Sequence, residues 1–368
     1  LISAVVIIAW VVLAIQFCYW VAWWIAFNRP GAGSATARPP LSVIVCAHDE
    51  EQNLRALIPR LLAQEYPDFE VIIVEDRCND GTFDFLLQAT KDYPRLRMVR
   101  VQHLPPHVNG KKFALTLGIK AATHDWVILT DADCRPSNNQ WLQTMASGCQ
   151  ADKKLILGYS PYLHEPGYLN SFIRFESLIT AVQFFGAALW GHPYMGTGRN
   201  LAYRKSLFLD NKGFNNYLGL TGGDDDLFVN QHATGSNTAV VLSRDSVVFS
   251  VPKRNWTDFY HQKLRHLSVG KHYRFGDRMV LGLFSLTWIL TWVFVLPVTL
   301  VATGLMAGLW IGFLVRMLTV TAVVYRSSRA MGEPFEAWKT PLLEFNYAIY
   351  YLGTGLVALV SKRVRWKN

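Results

Sequence analysis

Charge is scarce in this chain. Asp, Glu, Lys and Arg account for 17% of its 368 residues, against 51% hydrophobic ones, whereas a soluble domain usually carries about 25% charged residues. A wholly soluble enzyme is therefore disfavoured, and a mean hydropathy of only +0.15 disfavours a pure membrane bundle; the composition is part membrane, part soluble. Metal-type cysteine spacing is missing too: Cys18, Cys46, Cys78, Cys134 and Cys149 form no CxxC pair and are odd in number, which fits a reducing compartment. The glycine fingerprint of a dinucleotide-binding turn is absent, because GTGRNL at 196–201 lacks the third glycine and follows no convincing strand. NGKK at 109–112 lacks the upstream glycine of a P-loop. There is no internal repeat and no low-complexity tract. The net charge of +9 is assigned to anionic lipid headgroups and not to nucleic acid, since basic membrane proteins use such a surplus to set their orientation.

What is present falls into segments. Residues 1–27 carry no charge and, at about 1.5 Å per residue, can cross roughly 30 Å of hydrocarbon. Their length, the lack of an A-x-A cleavage pattern and Trp20, Trp23 and Trp24 at the far end predict an N-terminal anchor. A Pro/Gly/Ser linker at 28–40 contains Arg29 and Arg38, so the positive-inside rule places the following chain in the cytoplasm, with a bacterial inner membrane expected. Over 41–252 the β-branched runs SVIVCA, EVIIVED and WVILTDAD alternate with helix-length stretches, which predicts an α/β domain with a mainly parallel sheet and ligands at the carboxyl ends of its strands. In 253–278, Trp256, Phe259 and Tyr260 are interleaved with Lys253, Arg254, Lys263, Arg265, Lys271 and Arg274, the pattern of an amphipathic helix on the headgroups. Two spans are expected in 279–325, broken by Pro297 and Gly304, then a cytoplasmic loop at 326–340. A third apolar helix and the basic tail KRVRWKN fill 341–368. Were that helix to span, the tail would end outside, so a re-entrant or interfacial helix is expected. Arg316 lies inside an apolar span, where a lipid phosphate, Glu344 or snorkelling to the interface could each accommodate it.

Acidic residues close the three strand-like runs: Asp49 and Glu50, Glu75 and Asp76, Asp131 and Asp133. Carboxylates converging on one sheet edge repel unless a cation or donor sits among them. D-x-D at 131–133 puts two carboxylates on one side of an extended segment, and an oxygen-only ligand set favours Mg²⁺ or Mn²⁺ shared with a diphosphate. A plain polar exit from each strand is the competing reading.

These stretches carry a resemblance. VCAHDEEQNL at 45–54, VEDRCNDGT at 74–82, GKKFALTLGI at 110–119 and TDADCRP at 130–136 resemble, in order and spacing, the motifs of family 2 glycosyltransferases of the GT-A fold. GTGRNLAYRKSLF at 196–208, GGDDDLFVNQ at 222–231 and QKLRH at 262–266 are similar to segments of the membrane-bound members, including ceramide glucosyltransferase-like and hyaluronan or cellulose synthase-like enzymes. Glu75, Thr116 and Asp49 are mild departures from the family pattern. His266, where Trp is expected, is a larger one and weakens a processive polymerase reading.

The resemblance implies a set of roles. Glu50, Asp76, Lys111 and Asp131 would bind the nucleotide, with Lys112 the alternative to Lys111 unless both merely belong to a solvated helix start, and Asp76 would hydrogen-bond the nucleobase unless it merely opens an Asx turn. Asp133 would hold the Mn²⁺ or Mg²⁺ ion. Asn200, Gln262, Arg265 and His266 would serve the diphosphate or the acceptor. Asp225 aligns with the catalytic aspartate, with Asp224 as the alternative. The expected activity is inverting transfer of one sugar from a nucleotide-diphosphate sugar, UDP-linked by preference, to a membrane-lipid acceptor. A processive polysaccharide synthase and a catalytically silent membrane scaffold are the alternatives; the scaffold would lack acids, and none is missing.

Overall fold

The computed structural model describes residues 2–29, 38–301 and 307–360. The linker at 30–37, Gly304 and the basic tail from 361 onward lie outside the described residues. Those described fall into two compact units: residues 2–29, His164–Trp190, 253–301 and 307–360 form a helical unit, and residues 38–163 and 191–252 form a sheet unit.

The sheet unit is built from β1 (Leu41–Ala47), α2 (Glu51–Leu62), β2 (Phe69–Asp76), α3 (Thr82–Asp92), β3 (Leu96–Val101), α4 (Gly110–Ala121), β4 (Trp126–Asp131), β5 (Cys134–Pro136), α5 (Trp141–Ala146), β6 (Leu155–Gly158), β7 (Leu201–Arg204), α7 (Lys205–Asp210), α8 (Asp226–His232), β8 (Thr238–Val241) and β9 (Val248–Ser250). The three runs singled out in the sequence are β1, β2 and β4, and they are almost entirely buried, as strands covered on both faces must be. The sheet order is β3-β2-β1-β4-β7-β6-β8. The first four strands are parallel, while β7 runs antiparallel to both β4 and β6. β5 and β9 make a separate two-stranded antiparallel pair. The chain winds out from β1 in both directions, so the crevice beyond the carboxyl ends of β1 and β4 is a topological switch point, where open α/β sheets bind ligands. Register brings the acids there: Ala47 pairs with Glu75, and Cys46 with Asp131.

The helical unit contains α1 (Ile2–Phe27), α6 (Tyr168–Leu189), α9 (Trp256–Gly270), α10 (Phe275–Leu290), α11 (Leu296–Val301), α12 (Ala307–Ala330) and α13 (Thr340–Val360). Four described helices are long and apolar enough to cross a membrane: Ser3–Phe27, Tyr168–Leu189, Phe275–Val301 and Ala307–Ala330. The second of these was not expected from the sequence, where Asn170, Arg174 and Glu176 interrupt its apolar run. Pro297 does not break the third, contrary to expectation: α10 passes through a wider π turn at Thr291–Val295 into α11. A π turn beside the proline accommodates its missing N–H and ring bulk, and the Thr299 hydroxyl bonds the carbonyls of Val295 and Leu296 at 3.0 and 2.6 Å.

Buried charge in this unit is paired. The Arg316 guanidinium meets Glu344 and donates to Gln16 Oε1 at 2.9 Å, so of the three accommodations left open by the sequence the fold supplies Glu344. Lys263, part of the basic stretch in α9, is buried against Glu176 of α6. Arg174 meets Glu333 at 3.0 Å and Glu336 at 3.3 Å, and Lys339 meets Glu336 at 3.4 Å.

Candidate functional site

At the carboxyl end of β2, Asp76 is buried and its two oxygens take the Arg77 guanidinium at 2.7 and 3.1 Å. Arg77 adopts a left-handed φ of 52° to do so. The start of α4 lies against this pair: a Cβ at residue 110 would lie 2.7 Å from Arg77 Nη2 and 3.2 Å from Asp76 Oδ2, so a larger residue there would have to displace the Arg77 guanidinium. Glu75, buried beside them, accepts from Cys78 N at 2.7 Å and meets Arg100 at 3.0 Å. Glu50 starts α2 and accepts from Asn53 Nδ2 at 2.6 Å. Nearby, ligand-type atoms of Asp49, Cys78 and Asp80 lie within 4.8 Å of one another, but Asp49 Oδ1 accepts from the backbone of Asn79 and Asp80, and Asp80 Oδ1 from Thr82 N; these groups shape the loop.

The first two lysine-type residues of α4 part company. Lys112 turns inward, its Nζ donating to the carbonyls of Leu220 and Gly222 at 2.5 Å each. Burial lowers its pKa to about 8, against the pull of Asp224, Asp226 and Asp225. Lys111 Nζ lies 3.1 Å from Asp131 Oδ1 and 3.1 Å from Asp224 Oδ2. Burial disfavours its charge, but the carboxylates of Asp131, Asp224 and Asp225 outweigh that and hold the ammonium well above its ordinary range. One lysine thus joins the D-x-D at the end of β4 to the GGDDD stretch far along the chain.

That stretch turns on Gly222 and Gly223, whose φ values of 86° and 84° are the left-handed conformation glycine adopts freely. The turn delivers three aspartates at the start of α8. Asp225 is its N-cap: Oδ1 accepts from Asp226 N at 2.8 Å and Oδ2 from Gly198 N at 2.7 Å. Although adjacent, Asp224 and Asp225 are pushed in opposite directions. Burial raises both, but Lys111 and then Lys112 reverse the sign for Asp224, whereas Asp225 feels burial and then the Asp224 charge and is left raised. A coupled pair driven apart in this way supplies one carboxylate fixed as an anion and one that exchanges a proton more readily.

Asp131 and Asp133 are partly exposed at the end of β4. Asn200 is fully buried: its Nδ2 donates to the carbonyls of Tyr159 and Ser246 at 2.8 and 2.7 Å, and its Oδ1 accepts from Trp141 Nε1 at 3.0 Å. Its side chain ties β6, β7 and α5 together. The sheet unit therefore brings Asp131, Lys111, Asp224 and Asp225 into one cluster. Gln262, Arg265 and His266 lie on α9 of the helical unit. Sequence reasoning did not single out Arg199 or Gly198 as site-forming; an arginine embedded in the glycine-rich GTGRNL was the available signal.

Comparison with known proteins agrees with this geometry. Residues 42–209 match the model for glycosyl transferase family 2. The glycosyltransferase AglE of Haloferax volcanii is 24% identical over 235 residues, 63% of this chain and 72% of AglE. A beta-monoglucosyldiacylglycerol synthase of Trichormus variabilis is 28% identical over 109 residues, 29% of this chain and 23% of that protein; the chain spans about a quarter of the length of several such relatives. Among solved structures, a mannosyltransferase from Pyrobaculum calidifontis in complex with GDP-Man and Mn²⁺ superposes with a TM-score of 0.64 at 15% identity, covering 99% of this chain and 100% of that one. With a mainly parallel sheet and acids gathered at its switch point, the sheet unit has a GT-A fold, and residues 42–209 of the chain carry the likeness to glycosyl transferase family 2.

Proposed function

We propose that the protein moves a single sugar, with inversion, from a nucleotide-diphosphate sugar, UDP-linked by preference, to a lipid acceptor at a membrane surface. The observation that carries this reading is the Lys111 ammonium, 3.1 Å from both Asp131 and Asp224, which gathers the D-x-D acids and the GGDDD acids around one space. The four apolar helices and the partial likeness to a lipid glucosyltransferase support the lipid acceptor. A cytoplasmic catalytic unit at a bacterial inner membrane follows from the arginines beside the first apolar helix.

The donor set fits a hard divalent cation: Asp131 and Asp133 offer only oxygen, and the neighbouring Cys134 thiol is buried with its pKa pushed well up by burial. These two aspartates would hold Mn²⁺ or Mg²⁺, as the Mn²⁺ complex of the Pyrobaculum calidifontis mannosyltransferase suggests. Bound there, such an ion would neutralise charge on the departing nucleoside diphosphate. Asp225 is the base. Each of its oxygens already accepts one backbone N–H and keeps a second lone pair. It takes the acceptor hydroxyl proton as the new glycosidic C–O bond forms; the bond from the sugar to the phosphate oxygen breaks, and its electrons leave with the diphosphate. Asp224, held anionic by Lys111, keeps the field that raises Asp225. Glu50 and Asp76, with its Arg77 partner, border the nucleoside end.

The test is a panel of UDP- and GDP-sugars on the full chain in nanodiscs, with Mn²⁺ or with excess EDTA. Nucleotide-dependent thermal stabilisation should need the metal and collapse in Asp133→Ala without unfolding. Equal nucleotide affinity in EDTA would refute the metal arrangement, and no stabilisation by any donor would refute the activity.

A further inference from the structure

Arg199 lies between two anchored residues. Gly198 N is fixed to Asp225 Oδ2 at 2.7 Å, and the Asn200 amide is fixed by the carbonyls of Tyr159 and Ser246. The backbone on both sides is therefore held, and the guanidinium lies over the Tyr162 ring, 4.5 Å from its centroid. Its Nη1 is sealed from solvent and meets no hydrogen-bond partner among the described residues. A buried cationic donor left unmade is costly, and such groups are retained where something else completes them.

The other cations around the strand ends are spent on protein groups. Arg77 is bonded to Asp76, Lys111 to Asp131 and Asp224, Lys112 to two carbonyls, and Arg135 to the carbonyls of Ala132 and Cys134 and to Asn53 Oδ1. Burial disfavours the Arg199 charge, and Asp133 and Asp131 are among the groups close enough to offset this. A phosphoryl group arriving at those two aspartates would thus meet a fixed guanidinium whose free donor suits a charge-assisted bond.

We propose that Arg199 binds a phosphoryl oxygen on the sugar side of the donor's diphosphate and so sets the preference for nucleoside diphosphates over monophosphates. This rests on the donor assignment made above. The neighbouring N–H that holds Asp225 belongs to the residue before it, so one short loop would link recognition of the leaving group to placement of the base.

The experiment is titration calorimetry of the full chain in nanodiscs with UDP, GDP, UMP and GMP in Mn²⁺, together with thermal midpoints, for wild type, R199Q and R199K. R199Q should lose about 10–100-fold in affinity for the preferred diphosphate and less than about threefold for its monophosphate. R199K, with one well-placed donor, should lose about three- to tenfold for the diphosphate only, and it carries the test if R199Q does not fold. Unchanged diphosphate affinity in both variants would overturn the proposal, even with turnover lost, because the arginine would then serve the acceptor. A parallel fall for mono- and diphosphate with a lowered midpoint would also overturn it, leaving Arg199 a packing partner of Tyr162. Wild type that binds neither UDP nor GDP would instead fail the donor assignment, and this inference with it.

Discussion

In the helical unit, buried cations face carboxylates: Arg316 has Glu344, Lys263 has Glu176, and Arg174 has Glu333 and Glu336, the latter shared with half-buried Lys339. In the sheet unit Asp131 and Asp224 share the single ammonium of Lys111, and Asp225 beside them further favours its charged form. Both places bury ionised groups, and burial costs several kcal/mol per ion unless it is compensated. Where each buried cation faces a carboxylate of its own, the charges belong to the architecture. Where carboxylates outnumber cations, the deficit leaves room for a cation from outside and for a carboxylate that exchanges its proton.

The contrast is most severely tested by removing one side of a matched pair. Glu344→Ala strands the Arg316 guanidinium, and we expect a loss of about 3–5 kcal/mol in bundle stability, read as a lowered unfolding midpoint in detergent. Replacing both, Arg316→Met with Glu344→Leu, should restore most of it. A double variant as unstable as the single would mean that the pair is more than a neutralised contact.

The corresponding cut in the sheet unit should spare stability and abolish chemistry. Asp225→Asn keeps an oxygen to accept from a backbone N–H, so nucleotide-sugar affinity should hold while turnover falls by about 10² or more. Normal turnover in Asp225→Asn with none in Asp224→Asn would exchange their roles, and activity in both would place the base elsewhere.

A subtler difference is expected in pH dependence. Because Asp225 is raised by burial and by Asp224, its basic form is lost at a higher pH than for an ordinary aspartate, and the acid limb of kcat/KM should sit correspondingly high. Asp224→Asn removes the like charge and should move that limb toward lower pH. Stability runs the other way: a carboxyl raised in the folded state contributes stability at pH below its unfolded pKa and loses it as pH climbs through the raised value. Turnover should therefore increase across the window in which this group's contribution to stability declines. An acid limb unmoved by Asp224→Asn would uncouple the pair.

The smallest effect belongs to a neutral scaffold contact. Asn109 caps α4, its Oδ1 accepting from Lys112 N at 3.2 Å, and Asn109→Ala should cost about 1 kcal/mol, a midpoint shift of a few degrees. A larger loss, with weakened nucleotide binding, would show that the cap positions Lys111 and not only the helix.

Local pattern was sufficient for much of this protein. Val43, Val45, Val71, Ile73 and Ile128 are all fully or almost fully buried, and a strand covered on both faces must be apolar along its whole length, so β1, β2 and β4 are visible as runs, with their acids where the sheet ends. The uncharged stretch forming α1 is equally visible, because crossing hydrocarbon requires length and apolarity together. Short elements are not: β6 and β7 have four residues each, too few for a period to register, and their antiparallel pairing is a property of the assembled sheet. The Arg174 and Glu176 of α6 look like interruptions until partners distant in sequence neutralise them. Sequence alone determined which residue types carry charge and at what local spacing, because periodicity and propensity act over a few residues. Tertiary structure decided which charges meet: that Lys111 spans Asp131 and Asp224, that Arg316 meets Glu344, and that Asp224 and Asp225 are pushed apart. The physical reason is that a Coulomb interaction depends on distance and burial, and neither exists until segments far apart in the chain have packed.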